Sequence, residues 1–245
     1  MFGITAIGVA STGYFMSLAA AALFVASVIM LRFAFTDYKL PVLIVLISSL
    51  VAFVALLLTL GALVFGQFGQ MNLPRVIIAL VVSVAIFLPV FLAGRALEDV
   101  PTINDIMTDT DNPPQFEVVP TLRKPFDNSF ELSEKRLAFH RKHYGDMKPL
   151  NLDGASDTHF DKVVALVEAR GWKLVASDKT KGTVEATDTT VFFGFKDDIV
   201  VRLTDVNGKT RVDMRSASRQ GQSDYRVNSK RINAFLDDLK AGAGN

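Results

Sequence analysis

The sequence predicts an α+β fold: three N-terminal transmembrane helices, then a soluble domain with an antiparallel sheet of four or five strands packed by helices. Three observations carry this expectation. Residues 1–96 hold only five charged side chains, Arg32, Asp37, Lys39, Arg75 and Arg95, in a chain that is 50% hydrophobic. The second half contains β-rich runs separated by turn signals, of which Asn207-Gly208 is the clearest. Its helical patterns precede and follow the strands instead of alternating with them, so the sheet is expected to be antiparallel.

Three apolar runs cover about residues 7–31, 40–65 and 76–93. Each approaches or exceeds the roughly 20 residues that a membrane span needs. The first run lacks a basic leader and is too long for the core of a signal peptide, so it reads as a span. Ser17, Ala21, Ala22 and Ala26 are small enough to admit a neighbouring helix. Pro89 falls inside the third run, which membrane helices tolerate. No charge lies mid-span, which speaks against an ion or proton path.

The totals exclude several classes. Net charge is +1 over 245 residues, so no basic field points to nucleic acid. There is no Cys, which removes disulfides, thiol catalysis, a lipid-modified Cys and thiolate metal sites. No Walker loop, dinucleotide fingerprint or Ser/His/Asp motif appears, and no cofactor or metal is expected.

Residues 97–130 read as a polar linker with an acidic motif. Pro101, Pro113 and Pro114 hold it extended. Asp105, Asp109 and Asp111, with Asn104 and Asn112, suggest local turns, a partner contact or a cation. The EF-hand spacing fails, because Pro113 and Pro120 stand at ligand positions.

The soluble domain is expected over 131–245. A helix runs over about 130–144, opened by Ser133 and closed by Gly145, with Leu137 and Phe139 or His140 on its apolar side. His140 and His143 are three apart but lack a third ligand for zinc. A second helix, capped by Ser156 or Asp157, buries Phe160, Val163, Val164 and Val167, and Gly171 follows it. Strands are expected near 172–177 and 183–189.

Phe192, Phe193 and Phe195 read as core or membrane-facing packing, a cofactor box or partner patch, or a fifth short strand. A two-residue turn at Asn207-Gly208 would pair Leu203 with Val212, Val201 with Met214, Thr204 with Arg211, and Arg202 with Asp213. The last of these becomes an exposed cross-strand ion pair. A final helix from Ser223 and Asp224 buries Ile232, Phe235, Leu236 and Leu239.

The run V-E-A-T-D-T-T-V-F-F-G-F-K-D-D-I-V-V-R-L from Val184, and the run from Arg211 to Ile232, resemble DUF1499, a bacterial and plastid family of unknown function. I-N-D-I-M-T-D-T-D-N-P-P-Q-F (Ile103–Phe116), Y-G-D-M-K-P-L (Tyr144–Leu150) and R-G-W (Arg170–Trp172) fit as well. The resemblance covers about residues 103–240 and departs at Gly145, where the family usually has Pro. Relatives are often lipoproteins or plastid-lumen proteins, which implies an extracytoplasmic domain. The charge rule leans the other way, since Arg32, Lys39 and Arg95 oppose only Arg75. The family placement is adopted: an integral protein of the bacterial inner membrane with a periplasmic domain.

The expected function is a membrane-tethered accessory or interaction domain that binds a protein partner or small polar ligand near the bilayer. The alternative is a hydrolase-like enzyme using Asp197 and Asp198. An anionic ligand would be held where the last strand meets the last helix, by Arg215, Ser218, Arg219, Ser223 and Arg226.

Overall fold

Long apolar runs without an internal break become long helices, because in lipid only intrahelical bonding satisfies the backbone. The computed structural model describes residues 6–33, 37–65, 71–96, 100–223 and 225–243. The chain divides into two units, Met1–Asp99 and Val100–Asn245.

The first unit contains α1 (Ala6–Phe33), α2 (Lys39–Phe65) and α3 (Leu73–Ala96). All three are long and apolar enough to cross a membrane. Their rise of about 1.5 Å per residue gives lengths of roughly 36–42 Å. Asn72 starts α3 by accepting from the Arg75 amide at 3.2 Å, and Pro74 sits in the first turn, where its missing N–H costs nothing.

The contact stripe of α1 is Ala10, Gly13, Ser17, Ala20, Ser27 and Leu31. At Gly13 a Cβ would lie 2.4 Å from Thr59 Oγ1, so the two helices approach closely there. Ser17 therefore faces a neighbour as expected. Ala22 and Ala26 are exposed and Ala21 is half-buried, because the stripe follows 10, 13, 17 and 20. Ser17, Ser27, Ser48 and Thr59 each donate to a carbonyl one turn earlier in their own helix.

The second unit is α+β. Its six strands are β1 (Asp105–Met107), β2 (Leu150–Asp153), β3 (Lys173–Asp178), β4 (Thr183–Thr189), β5 (Lys196–Val206) and β6 (Lys209–Ser218). They run antiparallel in the order β1-β6-β5-β4-β3, with β2 also on β6. The two additional strands share one edge of β6: β2 pairs with 209–212 and β1 with 215–217. Residues 190–195 form a turn, not a fifth strand. A three-residue strand shows too little alternation to be read from sequence.

Asn207 and Gly208 both have positive φ, 52° and 79°, which makes the tight primed turn of a hairpin. All four pairings expected from that turn occur, Arg202 opposite Asp213 included.

Side chains alternate across the sheet. One face carries Val184, Ala186, Ile199, Val201, Leu203, Val212 and Met214 into the main core. The helices α5 (Ser156–Ala169) and α6 (Val227–Ala243) cover it. Phe160, Val163 and Val167 enter from α5, and Ile232, Phe235, Leu236 and Leu239 from α6. Gly171 follows α5 with φ 71°.

Two helix starts differ from expectation. The N-cap position of α5 is Ala155, and a distant residue does the capping: Asp205 accepts from the Ser156 amide and hydroxyl, both at 2.8 Å. The last helix begins at Val227, while Ser223 donates to the Pro101 carbonyl at 3.2 Å. Asp224 lies outside the described residues.

The helix α4 (Glu134–Tyr144) opens on Ser133, which accepts from the Arg136 amide. It buries His140 and Tyr144, while the rings of Phe139 and His143 meet outside, tilted, with centroids 4.4 Å apart. Gly145 ends it in a right-handed conformation, φ −68°.

The other face of the sheet is not open to solvent. The segment expected as a linker begins with 97–99, outside the described residues, and from Val100 on it belongs to the domain. After β1 it crosses the sheet as a strap over 108–131, including a 3-10 turn at Val119–Leu122. Phe116 and Val119 pack on Val200 and Ala217 beneath it. The polar composition of this segment reflects its bonding to a charged sheet face, not solvation.

Candidate functional site

The strap face gathers the charged residues that alternation places opposite the core. Asp198 on β5 is fully buried. Its Oδ2 accepts from Arg123 Nε at 2.8 Å and Arg219 Nε at 2.9 Å. Its Oδ1 accepts from Arg219 Nη2 and Thr187 Oγ1, both at 2.8 Å. A carboxylate offers about four lone-pair sites, and here four donors occupy them. Arg123 comes from the strap, also donates to the Asn128 and Ala217 carbonyls, and lies 3.5 Å from the Phe130 ring centroid. Burial pulls its pKa down, and Asp198 opposes that.

Three further anchors hold the strap. Arg215 Nε and Nη2 reach the two oxygens of Asp105 at 2.9 and 2.7 Å. The same guanidinium donates to the Pro114 and Phe130 carbonyls and lies near the stacked rings of Phe116 and Phe130. Asp213 accepts from Arg202, Arg211 and Thr108. Asp109 accepts from Arg211 at 2.6 Å and from the amides of Asp111 and Asn112, closing a local turn. Glu185 receives three successive strap amides, those of Glu117, Val118 and Val119, at 2.7–3.2 Å. Three such N–H groups in a row form an anion nest, and the chain's own carboxylate fills it.

The Arg202–Asp213 pair therefore differs from its expected exposed form. The register is as expected, but Asp213 is only 1% exposed because the strap covers it. On the helix face, Arg231 binds Asp188 at 2.8 Å and Asp197 at 2.6 Å, and reaches Ser216 and Asn228.

The residues proposed for an anion do not converge. Arg215 and Arg219 lie under the strap, each engaged with a carboxylate. Ser218 points to the helix face, where its hydroxyl accepts from Asn228 at 3.0 Å. Ser223 bonds Pro101, and Arg226 precedes α6 with φ 62°. Arg219 has a carboxylate partner within the chain. That partner is Asp198, and Asp111 is exposed. Among the described residues no three His, Asp or Glu side chains are arranged to hold a metal ion.

His140 lies on the buried side of α4, one of the two alternatives that the helical spacing allows. Its Nε2 accepts from the Met107 amide at 3.1 Å, which requires that nitrogen to be unprotonated. Its Nδ1 has no partner among the described residues. Burial, above all, lowers its pKa from 6.5 to about 4.

The turn after β4 is the opposite of these sealed clusters. Val191 is 91% exposed and Phe192 56%, while Phe193 and Phe195 are half-buried. The rings form a chain, Phe192 edge-on to Phe193 at 5.0 Å and Phe193 to Phe195 at 5.6 Å. Thr190 braces the turn, its hydroxyl accepting from the Phe195 amide at 2.9 Å. Lys196 follows, and its pKa is lowered by burial and by Arg219, Lys173 and Lys124.

A family model described as a protein of unknown function (DUF1499) matches residues 105–239. The chain belongs to the DUF1499 family. The match begins at Asp105, the first residue of β1, so the DUF1499 region includes the strap and the complete sheet. No curated protein matches the chain.

Proposed function

We propose that this DUF1499 protein is a membrane-tethered accessory or interaction domain without catalysis of its own. It sits in the bacterial inner membrane with its second unit on the periplasmic side, and binds a protein partner or small polar ligand near the bilayer. The observation that carries this reading is the saturation of Asp198 by four donors. A general acid or base must direct a lone pair or proton at its substrate. Asp197 is bound by Arg231 on the opposite face of the sheet, so the carboxylates of the hydrolase reading do not share a site. In contrast, the braced Val191-Phe192 turn has the exposure and stiffness of a docking element. The periplasmic side rests on the family resemblance.

A photoreactive residue at Phe192 in cells, compared with one at Thr180, tests the docking reading: an adduct, to protein or to lipid, is expected at 192 alone. Ester or phosphate hydrolysis by the purified protein that disappears in Asp198→Asn would overturn it. Alkaline phosphatase fused after Asn245 should be active. An active β-galactosidase fusion at that point, with a silent phosphatase, would move the domain to the cytoplasm.

A further inference from the structure

The exposed apolar side chains of the second unit are not scattered. Of the eight large ones described, Val191, Phe192, Leu122, Tyr225 and Val227 lie at one end of the sheet. Register and bonding show this. The first residue of β5, Lys196, pairs with the last of β4, and Asp197 pairs with Ser218 at the end of β6. Leu122 accepts from Arg219, whose amide bonds the Lys196 carbonyl. Asn228, the second residue of α6, bonds Ser218. The turns at 179–182 and 207–208 lie at the other end, where Val206 is exposed and Val118 lies nearby through Glu185.

The same end receives the chain. Pro101 accepts from Ser223, and Asn104 bonds Gly221 and Ser218. Val100 follows the last residue of α3 by four positions in the sequence. Charge agrees with this placement. Lys124, Lys173 and Lys196 are exposed, and the first two lie within electrostatic range of Lys196. The carboxylates nearby are engaged within the chain, Asp188 and Asp197 by Arg231 and Asp127 by Gln220.

We infer that this end of the domain seats on the bilayer surface, with Val191 and Phe192 in the interfacial layer and Lys124, Lys173 and Lys196 among anionic headgroups. The inference rests on the interaction-domain reading and names the bilayer as what the turn meets. Aromatic and aliphatic side chains flanked by Lys suit the boundary between headgroups and acyl chains. Lysines near an anionic surface add attraction that salt screens.

The chain has no Cys, so a single introduced thiol reports one position. Spin labels are placed at Val191→Cys, Phe192→Cys and Thr180→Cys in the full chain, in vesicles of phosphatidylcholine with or without 30% phosphatidylglycerol. At 91% exposure, Val191 accepts a label without disturbing packing. Oxygen collisions should exceed those with a water-soluble nickel chelate at 191 and 192, and the reverse should hold at 180. Phosphatidylglycerol should strengthen the effect, and Lys124, Lys173 and Lys196→Gln together should remove that gain. Shielding from both collision agents would mean contact with protein, which overturns the bilayer assignment and leaves the docking reading standing. Nickel access at 191 equal to that at 180 in both vesicle types would overturn both.

Discussion

Arg215 on β6 clasps both carboxylate oxygens of Asp105, 110 residues earlier in the chain, and both side chains are under 5% exposed. The pair ties β1 and the strap to β6. A buried ion pair is often no better than an apolar replacement, but removing one member strands the other charge. Asp105→Asn should therefore cost about 3–5 kcal/mol. Asp105→Leu combined with Arg215→Met should recover much of that loss. Denaturant unfolding followed by Trp172, the single Trp, stacked 5.5 Å from Phe235, measures both.

Glu185 is the second anchor. Glu185→Ala leaves three strap amides without their acceptor. Losing such acceptors costs roughly 1–3 kcal/mol, so hydrogen exchange at Glu117, Val118 and Val119 should quicken about ten- to a hundredfold. Amides of β5 should keep their protection. Unchanged exchange at 117–119 would mean that the strap is held elsewhere.

His140 gives a pH dependence of known sign. Its folded pKa, about 4, is below its ordinary 6.5, so the unfolded chain binds more protons between those values. Stability contributed by this group is complete above pH 6.5 and is lost as pH falls towards 4, by at most about 3 kcal/mol. His140→Gln keeps an acceptor for the Met107 amide and does not titrate. The variant should show a flatter decline in stability from pH 6.5 to 4 when unfolding is followed at Trp172.

Arg219 donates both Nε and Nη2 to Asp198 and its remaining Nη1 to the Leu122 carbonyl. Millimolar phosphate should then leave the amides of Gly221, Gln222, Ser223 and Tyr225 unmoved in NMR spectra. A saturable shift abolished by Arg219→Ala would establish the anion site that the sequence suggested.

What could be read without coordinates depended on neighbours close in the chain. The three long apolar helices follow from the length of uncharged apolar runs. The hairpin register follows from Asn207-Gly208 and the strict alternation around it, which also put Asp197 and Asp198 on opposite faces. The stripe Ile232, Phe235, Leu236 and Leu239 follows from helical spacing. Tertiary structure alone decided the fate of the charges. Arg215 finds Asp105, Arg123 and Arg219 find Asp198, Glu185 finds the amides of 117–119, and Asp205 caps a helix that begins 49 residues earlier. Such pairs leave no local signature, because an ion pair needs only complementary charge and proximity in space. An alternating strand therefore identifies its outer face but not what lies on it. Here the strap converts a face that reads as solvated into a buried one.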